Sequence, residues 1–318
     1  MFCIYFDELI HALESAKYGC YIGFCFVGVL VYADDLVLLA PSPNATRNML
    51  KICDEFGERY SVVFNAIKSK CLLCLSSNRS CRMPHAPTPV FYIGGNVIEF
   101  VNEWSHLGHV ISTSGADMHD IESRKFSLIG QINGILCDFR NVTCQTKIRL
   151  VKTYCTSLYG AELWDLSSDY IDSICIAWRR GIRQVWRLPN TTHSSLLPGI
   201  CKTIPLIDLL YRRMLKFVHR CQSSRSFIVN FIARHSILFC RMNSIVGRNV
   251  LGCCQRYNTN IDNVVTCRFD IKNIDRVANT VSDDVCNRVA MLTALKFVVE
   301  IVCFAYMTFH SAAMKLNN

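Results

Sequence analysis

Val27-Gly28-Val29-Leu30-Val31-Tyr32-Ala33-Asp34-Asp35-Leu36-Val37-Leu38-Leu39-Ala40 decides how this chain reads. Two apolar runs of strand length flank a pair of adjacent acids. Runs of Val and Leu without polar alternation predict strands buried on both faces. Only a tight turn fits between them, and Asp is a residue that turns accept. The stretch therefore predicts a hairpin with two carboxylates at its tip, set against a hydrophobic floor. Adjacent buried carboxylates repel and lose hydration, which is costly unless a cation neutralises them. A divalent cation fits that need. Mg²⁺ prefers carboxylate oxygens together with substrate phosphates, the arrangement used in two-metal phosphoryl transfer.

On the N-terminal side, Phe2, Phe6, Leu9, Ile10 and Leu13 recur at helical spacing, opposite Asp7, Glu8 and His11, and predict an amphipathic helix. Tyr18 to Phe26 predicts a loop and a short strand. On the C-terminal side, Pro41-Ser42-Pro43-Asn44 closes the hairpin and opens a helix with Asn44 as N-cap. Met49, Leu50, Cys53 and Phe56 form its buried stripe. Val62-Val63-Phe64 reads as a strand ending in Asn65-Ala66-Ile67-Lys68, and Cys71 to Leu75 as another. Asn78 to Pro89 reads as a loop, and Val90 to Val101, broken at Gly94-Gly95, as a hairpin. Trp104-Ser105-His106-Leu107-Gly108-His109-Val110-Ile111 reads as an edge hairpin with a Gly turn.

After Gly115 the period becomes helical. Asp117 to Cys137, capped by Asp117, and Thr143 to Leu163 predict two helices. Asp169 to Leu188 carries an apolar stripe of Cys175, Trp178, Ile182, Val185 and Trp186, with Arg179, Arg183 and Arg187 along another line and Arg180 beside them. Pro189 stops it. Asp208 to Cys221 repeats the theme, with Arg212, Arg213, Lys216 and Arg220 opposite Leu209, Leu210, Met214, Phe217 and Val218. Guanidinium rows beside tryptophans grip phosphates or stack on bases, and they also serve as solvated helix faces.

Composition sets the outer bounds. With 318 residues, 51% of them hydrophobic and 19% charged, the chain has material for two modest domains and is not of the disordered class. A net charge of +9 is compatible with a polyanionic partner. The 19 cysteines are scattered without a zinc or disulfide framework, which points to free thiols in a reducing compartment. Ala290 to Phe309 is strongly apolar, but Lys296 and Glu300 at i,i+4 suit a packed helix better than a membrane span.

Tyr32-Ala33-Asp34-Asp35 in this setting resembles the Tyr-x-Asp-Asp hairpin of reverse transcriptases, and the order of features after it resembles the non-LTR retrotransposon (LINE-type) branch. Asn65-Ala66-Ile67-Lys68 looks like the family's Asn-x-x-Lys element, whose Lys lies near the leaving pyrophosphate. A Lys there stabilises leaving-group charge or donates a proton. Taken alone, Lys68 is an ordinary exposed lysine after a strand. Trp104 to Ile111 resembles the aromatic-Leu-Gly hairpin that grips the primer end, which would bring Leu107-Gly108 near Tyr32.

The resemblance implies an α+β fold. Residues 1–115 would be the C-terminal part of a polymerase palm, an antiparallel sheet with packed helices. Residues 116–220 would be a helical thumb, and 221–318 a helical region without an assigned role. It implies catalytic roles for Asp34, Asp35 and Lys68, metal binding by Asp34 and Asp35, and nucleotide or primer contacts by Tyr32, Leu107 and Gly108. Arg179, Arg183, Arg187, Arg212 and Arg213 would hold the template-primer duplex by its phosphates. The implied cofactor is Mg²⁺ or Mn²⁺, and the partners are an RNA template and a DNA primer in an intracellular setting, cytoplasmic or nuclear, without a membrane. Family enzymes carry another metal-binding Asp and fingers upstream, and neither fits before Met1. The expectation is therefore an N-terminally truncated chain that binds one metal weakly, lacks an upstream polypeptide, and makes no DNA alone. The alternative readings are a non-catalytic nucleic-acid-binding remnant and, from the apolar tail, a membrane-associated helical protein.

Overall fold

The computed structural model describes residues 2–74, 89–201, 204–240, 242–258 and 260–265. The expected loop over 78–89, Pro89 excepted, and the apolar stretch 290–309 lie outside the described residues, as does most of 221–318. The fold is mixed α and β, and the chain divides into two units after Ala116.

The first unit opens with α1 (Phe2–Ala16), as its apolar spacing predicts. Strands β1 (Tyr21–Ile22) and β2 (Cys25–Phe26) form a small hairpin, followed by β3 (Val29–Tyr32) and β4 (Asp35–Leu38). The base of the β3–β4 ribbon is pinned where Gly19 and Gly28 meet. A Cβ on either would sit 2.5 Å from the other's Cα, so only glycine fits at both. Helix α2 (Pro43–Tyr60) is capped by Ser42, whose Oγ accepts from the Ala45 amide at 3.2 Å. The expected cap Asn44 instead accepts from Arg47 Nη1 at 2.9 Å. Pro43 decides this, because its fixed φ and missing N–H suit the first helical position and leave Ser42 as the cap.

Val62 to Phe64 is not a strand. Ser61 ends α2 in the left-handed region at φ 54°, the Val62 amide bonds back to the Gly57 carbonyl at 2.9 Å, and Val63 points into solvent, 92% exposed. The reversal at the helix end leaves these β-branched residues no partner strand, which overrides their propensity. Beyond it, β5 (Lys70–Cys71) pairs in parallel with β8 (Glu99–Phe100). Between them β6 (Tyr92–Ile93) and β7 (Asn96–Val97) close over Gly94-Gly95, both at positive φ, as the paired glycines predict. Strands β9 (Glu103–His106) and β10 (His109–Ser112) complete the unit. The continuous antiparallel palm sheet expected here is not present among the described residues. They form five separate two-stranded pairs, β5–β8 being parallel. One core serves α1, α2 and the first strands, with Leu9, Leu13, Met49 and Cys53 fully buried in it.

The second unit is helical. Helix α3 (Met118–Asp138) follows Asp117, whose carboxylate accepts from the Asp165 amide rather than capping its own helix. The expected helix over 143–163 breaks in three. Thr143 caps α4 (Cys144–Leu150), a π-helical turn runs over Val151–Cys155, and a 3-10 turn spans Ala161–Leu163. Leu158 and Gly160 at positive φ stop the helix between the last two. Then come α5 (Tyr170–Val185), α6 (Leu197–Cys201), α7 (Leu206–Gln222), α8 (Phe227–Leu238), α9 (Ile245–Tyr257) and α10 (Ile261–Val265). The expected boundary near residue 220 falls inside α7, which packs on α8 and α9. Among the described residues no helix is long and apolar enough to cross a membrane.

Buried polar groups tie the second unit's loops to its helices. Asn249 on α9 donates to the Trp164 carbonyl and accepts from the Leu166 amide. Asp165 takes two bonds from Arg248, at 2.6 and 3.1 Å, and two from Ser167. Burial pushes the Asp165 carboxyl up, but the Ser167 and Arg248 bonds outweigh that and hold it below its ordinary 3.8. A depressed folded-state value means stabilisation that is complete above the unfolded value and lost as pH falls through the folded one. Asp165→Asn is therefore expected to lower the urea midpoint at about pH 6, with the gap to wild type narrowing as pH falls below the ordinary 3.8. A gap that persists at the acid end would show that the charge of Asp165 contributes nothing.

Candidate metal-binding hairpin and basic helices

Tyr32 pairs with Asp35 across β3 and β4, so the turn itself is Ala33-Asp34, two residues as the spacing predicts. Ala33 is held at φ 54° while Asp34 keeps a negative φ, the pattern of a turn whose first central position favours glycine. Alanine there costs about 1 kcal/mol, and nothing local in the sequence announces it. Non-glycine residues in such strained conformations cluster at functional sites.

The strands are not buried on both faces. Val29, Val31, Leu36 and Leu38 pack on the core beneath, whereas Leu30 is 52% and Tyr32 65% exposed on the other side. Among the described residues the ribbon pairs only with itself, and Leu30 and Tyr32 on its outer face stay exposed. Alternation is imposed by that one-sided packing, although the residues on both faces are apolar. Asp34 and Asp35 are exposed in consequence, and the expected burial of the acid pair is absent. Asp35 stands opposite Tyr32 and shares its outward face, while Asp34 sits in the turn.

Two carboxylates on adjacent residues are hard oxygen donors of the kind Mg²⁺ and Mn²⁺ accept, and solvent can complete such a shell. Leaving from consecutive positions, they supply part of a ligand set. Among the described residues no three His, Cys, Asp or Glu side chains converge as a metal-binding group.

The Asn65–Lys68 segment is a turn built by its own asparagine. Asn65 Oδ1 accepts from the Lys68 amide at 3.0 Å, and the Asn65 carbonyl accepts from the Ser69 amide and hydroxyl. Ala66 anchors it in the same core as β3 and β4, while Lys68 is exposed. The spacing of Asn and Lys is thus explained locally by an Asx turn.

Leu107 and Gly108 form the two-residue turn of β9–β10, both at positive φ, with Leu107 exposed. Neither Trp104 nor Leu107 belongs to the apolar cluster under the acid hairpin. Their hairpin is held instead at β5, where Lys70 Nζ lies 5.9 Å from the Trp104 ring centroid and pairs with Glu99.

In the second unit the five candidate arginines separate into two kinds. Arg183 donates through Nε and Nη2 to the Thr192 carbonyl and through Nη2 to Ser194 Oγ, which fastens α5 to the loop after Pro189. Arg213 pairs with Glu162 at 2.9 Å and donates to the carbonyls of Thr156 and Ser157. These two hold the fold. Arg183's partners lie nine and eleven residues on, in the loop after the helix, and Arg213's lie more than 50 residues before it, so helix spacing could not reveal them. Arg179 and Arg212 are half-buried, Arg187 is exposed just past the end of α5, and Arg180 is exposed on α5. An open cleft of about 390 Å³, lined by Gln131, Ile135, Asp138, Phe139 and Tyr154, also lies in this unit. It holds one carboxylate, Asp138, with the Tyr154 phenol and the buried Cys155 thiol on the same wall.

No protein-family model matches this chain, and no curated protein is similar to it. The hairpin, its strain and its acids are thus the chemistry from which function has to be argued.

Proposed function

We propose that the first unit descends from the palm of an RNA-directed DNA polymerase of the non-LTR retrotransposon kind, with Asp34 and Asp35 as its metal-binding pair. The observation that carries the reading is the two-residue turn that presents both acids next to a strained, non-glycine Ala33. Mg²⁺ or Mn²⁺ held there would neutralise phosphate charge during transfer of a nucleotidyl group. Asp34, in the turn itself, is the direct ligand, and Asp35 supports it from the outward face. Tyr32 and Leu30 on that face form an apolar wall suited to a nucleotide or a further strand. Lys68, on its Asx turn, supplies positive charge for the departing pyrophosphate. Leu107 and Gly108 keep the role of a primer contact in this reading.

A two-metal centre needs a carboxylate from a neighbouring strand, and in this reading another polypeptide segment provides it. The test is primer extension on an RNA template, with this chain alone and with a palm-and-fingers polypeptide fused ahead of Met1. Extension by the fusion that depends on Asp34 supports the reading, and a fusion indifferent to Asp34 sinks it.

A second reading, a nucleic-acid-binding chain without catalysis, is favoured by the net charge of +9 and the exposed Arg180, Arg187 and Arg220 on or next to α5 and α7. Arg180→Ala/Arg187→Ala is expected to weaken duplex binding alike on all sequences and to reduce the salt slope by about 2. Arg183→Ala should mainly lower thermal stability, because its guanidinium is already engaged. Equal effects of the two changes on binding, measured by fluorescence anisotropy across a salt series, would remove this surface.

A further inference from the structure

The second unit holds a thiol–imidazole pair that neither reading uses. His235 lies in the last turn of α8, and Cys240 follows two residues after the helix ends. Cys240 Sγ is 3.7 Å from His235 Nδ1, within reach of an S–H···N hydrogen bond. Both partners are held. The His235 ring lies between those of Phe231 and Phe239, at centroid distances of 5.5 and 5.2 Å. The His235 carbonyl accepts from the Phe239 and Cys240 amides, and the Cys240 carbonyl accepts from those of Asn243 and Ser244. The spacing of five residues belongs to no helical or strand period, so only the turn after α8 brings the two side chains together.

Position separates Cys240 from the other thiols. Burial pushes Cys155 and Cys175 up to about 11 and Cys53 and Cys201 up to about 12, which leaves them protonated and inert at neutral pH. Cys137 is exposed, and among the described residues no histidine is bonded to it. Cys240 is half-buried, with the His235 imidazole in contact with it just past the end of α8.

We propose that Cys240 and His235 form a reactive thiol couple that undergoes exchange with low-molecular-weight disulfides. His235 Nδ1 accepts the Sγ proton, and the thiolate attacks one sulfur of the disulfide. The new bond joins Cys240 to that sulfur, the old S–S bond breaks, and the departing thiolate is reduced and takes the proton. His235 acts as a base toward Cys240, and Cys240 is the modified atom.

The full-length chain, reduced and then exposed to oxidised glutathione at neutral pH, provides the test. The tryptic peptides 235–241 and 126–140 each contain a single cysteine, Cys240 and Cys137, so mass spectrometry reads both rates in one sample. Cys240 is expected to form the mixed disulfide about tenfold faster than Cys137 and than N-acetylcysteine in the same buffer. His235→Gln, which keeps a polar group but no base, should bring Cys240 down to the rate of N-acetylcysteine or below while leaving Cys137 unchanged. A wild-type Cys240 no faster than those two thiols overturns the proposal, as does a His235→Gln chain whose Cys240 stays fast beside an unchanged Cys137. If circular dichroism shows that the variant has lost its fold, the wild-type ratio alone decides.

Discussion

Asp34→Ala is expected to reduce RNA-templated extension roughly 10³-fold or more in a chain fused behind a palm-and-fingers polypeptide. A metal ion at a transferring phosphoryl group contributes several kcal/mol, and each 1.4 kcal/mol or so is a factor of ten in rate. Asp34 occupies the turn position, and the strained Ala33 beside it fixes where its backbone lies. Asp35→Ala is expected to cost less, because Asp35 leaves the strand on the side of Tyr32. The same assay with the unfused chain should give no product, since two carboxylates from one turn cannot bridge a metal pair. Product from the unfused chain that vanishes in Asp34→Ala would mean that this chain completes the site by itself. Binding of the template-primer by each variant, measured alongside, separates a lost reaction from a lost complex.

The largest effect on stability is expected at Trp164, which is fully buried in the helical unit. Its indole Nε1 donates to Asp120 Oδ2 at 2.7 Å, and its carbonyl accepts from Asn249. Trp164→Ala removes the largest fully buried side chain and takes a donor from a carboxylate that is itself 1% exposed. Truncating a buried Trp costs about 3–5 kcal/mol, and losing its hydrogen bond to Asp120, which keeps Arg124 at 3.8 Å, adds to that. A sum of this size approaches the whole stability of an ordinary domain. The variant should be unfolded or nearly so by circular dichroism at room temperature. Trp164→Phe keeps most of the volume and should retain a folded chain with a lowered urea midpoint. A Trp164→Ala chain within about 1 kcal/mol of wild type would refute this account of the core.

The amino-acid sequence alone determined the elements whose cause is local. The β3–β4 turn follows from two apolar runs too close for anything longer. Helices α1, α2, α3, α5 and α7 follow from apolar spacing, and the Gly94-Gly95 turn from the only residue type at ease with positive φ at both places. Asp34 and Asp35 were legible as a pair for the same reason, because chain neighbours on a tight turn cannot be far apart. The change from mixed structure to helix near residue 116 was legible as a sustained helical period that begins after Gly115.

Tertiary structure decided what depends on partners distant in the chain. Burial of β3 and β4 could not be read from their composition, since apolar residues on both faces say nothing about whether a second layer exists; among the described residues Leu30 and Tyr32 on one face are exposed, and so are the acids. Val62 to Phe64 has strand propensity but no strand to pair with once Ser61 reverses the chain. Helical spacing set Arg183 and Arg213 in a basic row with Arg179, Arg187 and Arg212, and only folding gave them to Thr192, Ser194 and Glu162 instead of solvent. His235 and Cys240 met only because the backbone turns after α8. Periodicity is a one-dimensional record of which side of an element is apolar. What covers that side, and which charge meets which, is settled only when the elements pack.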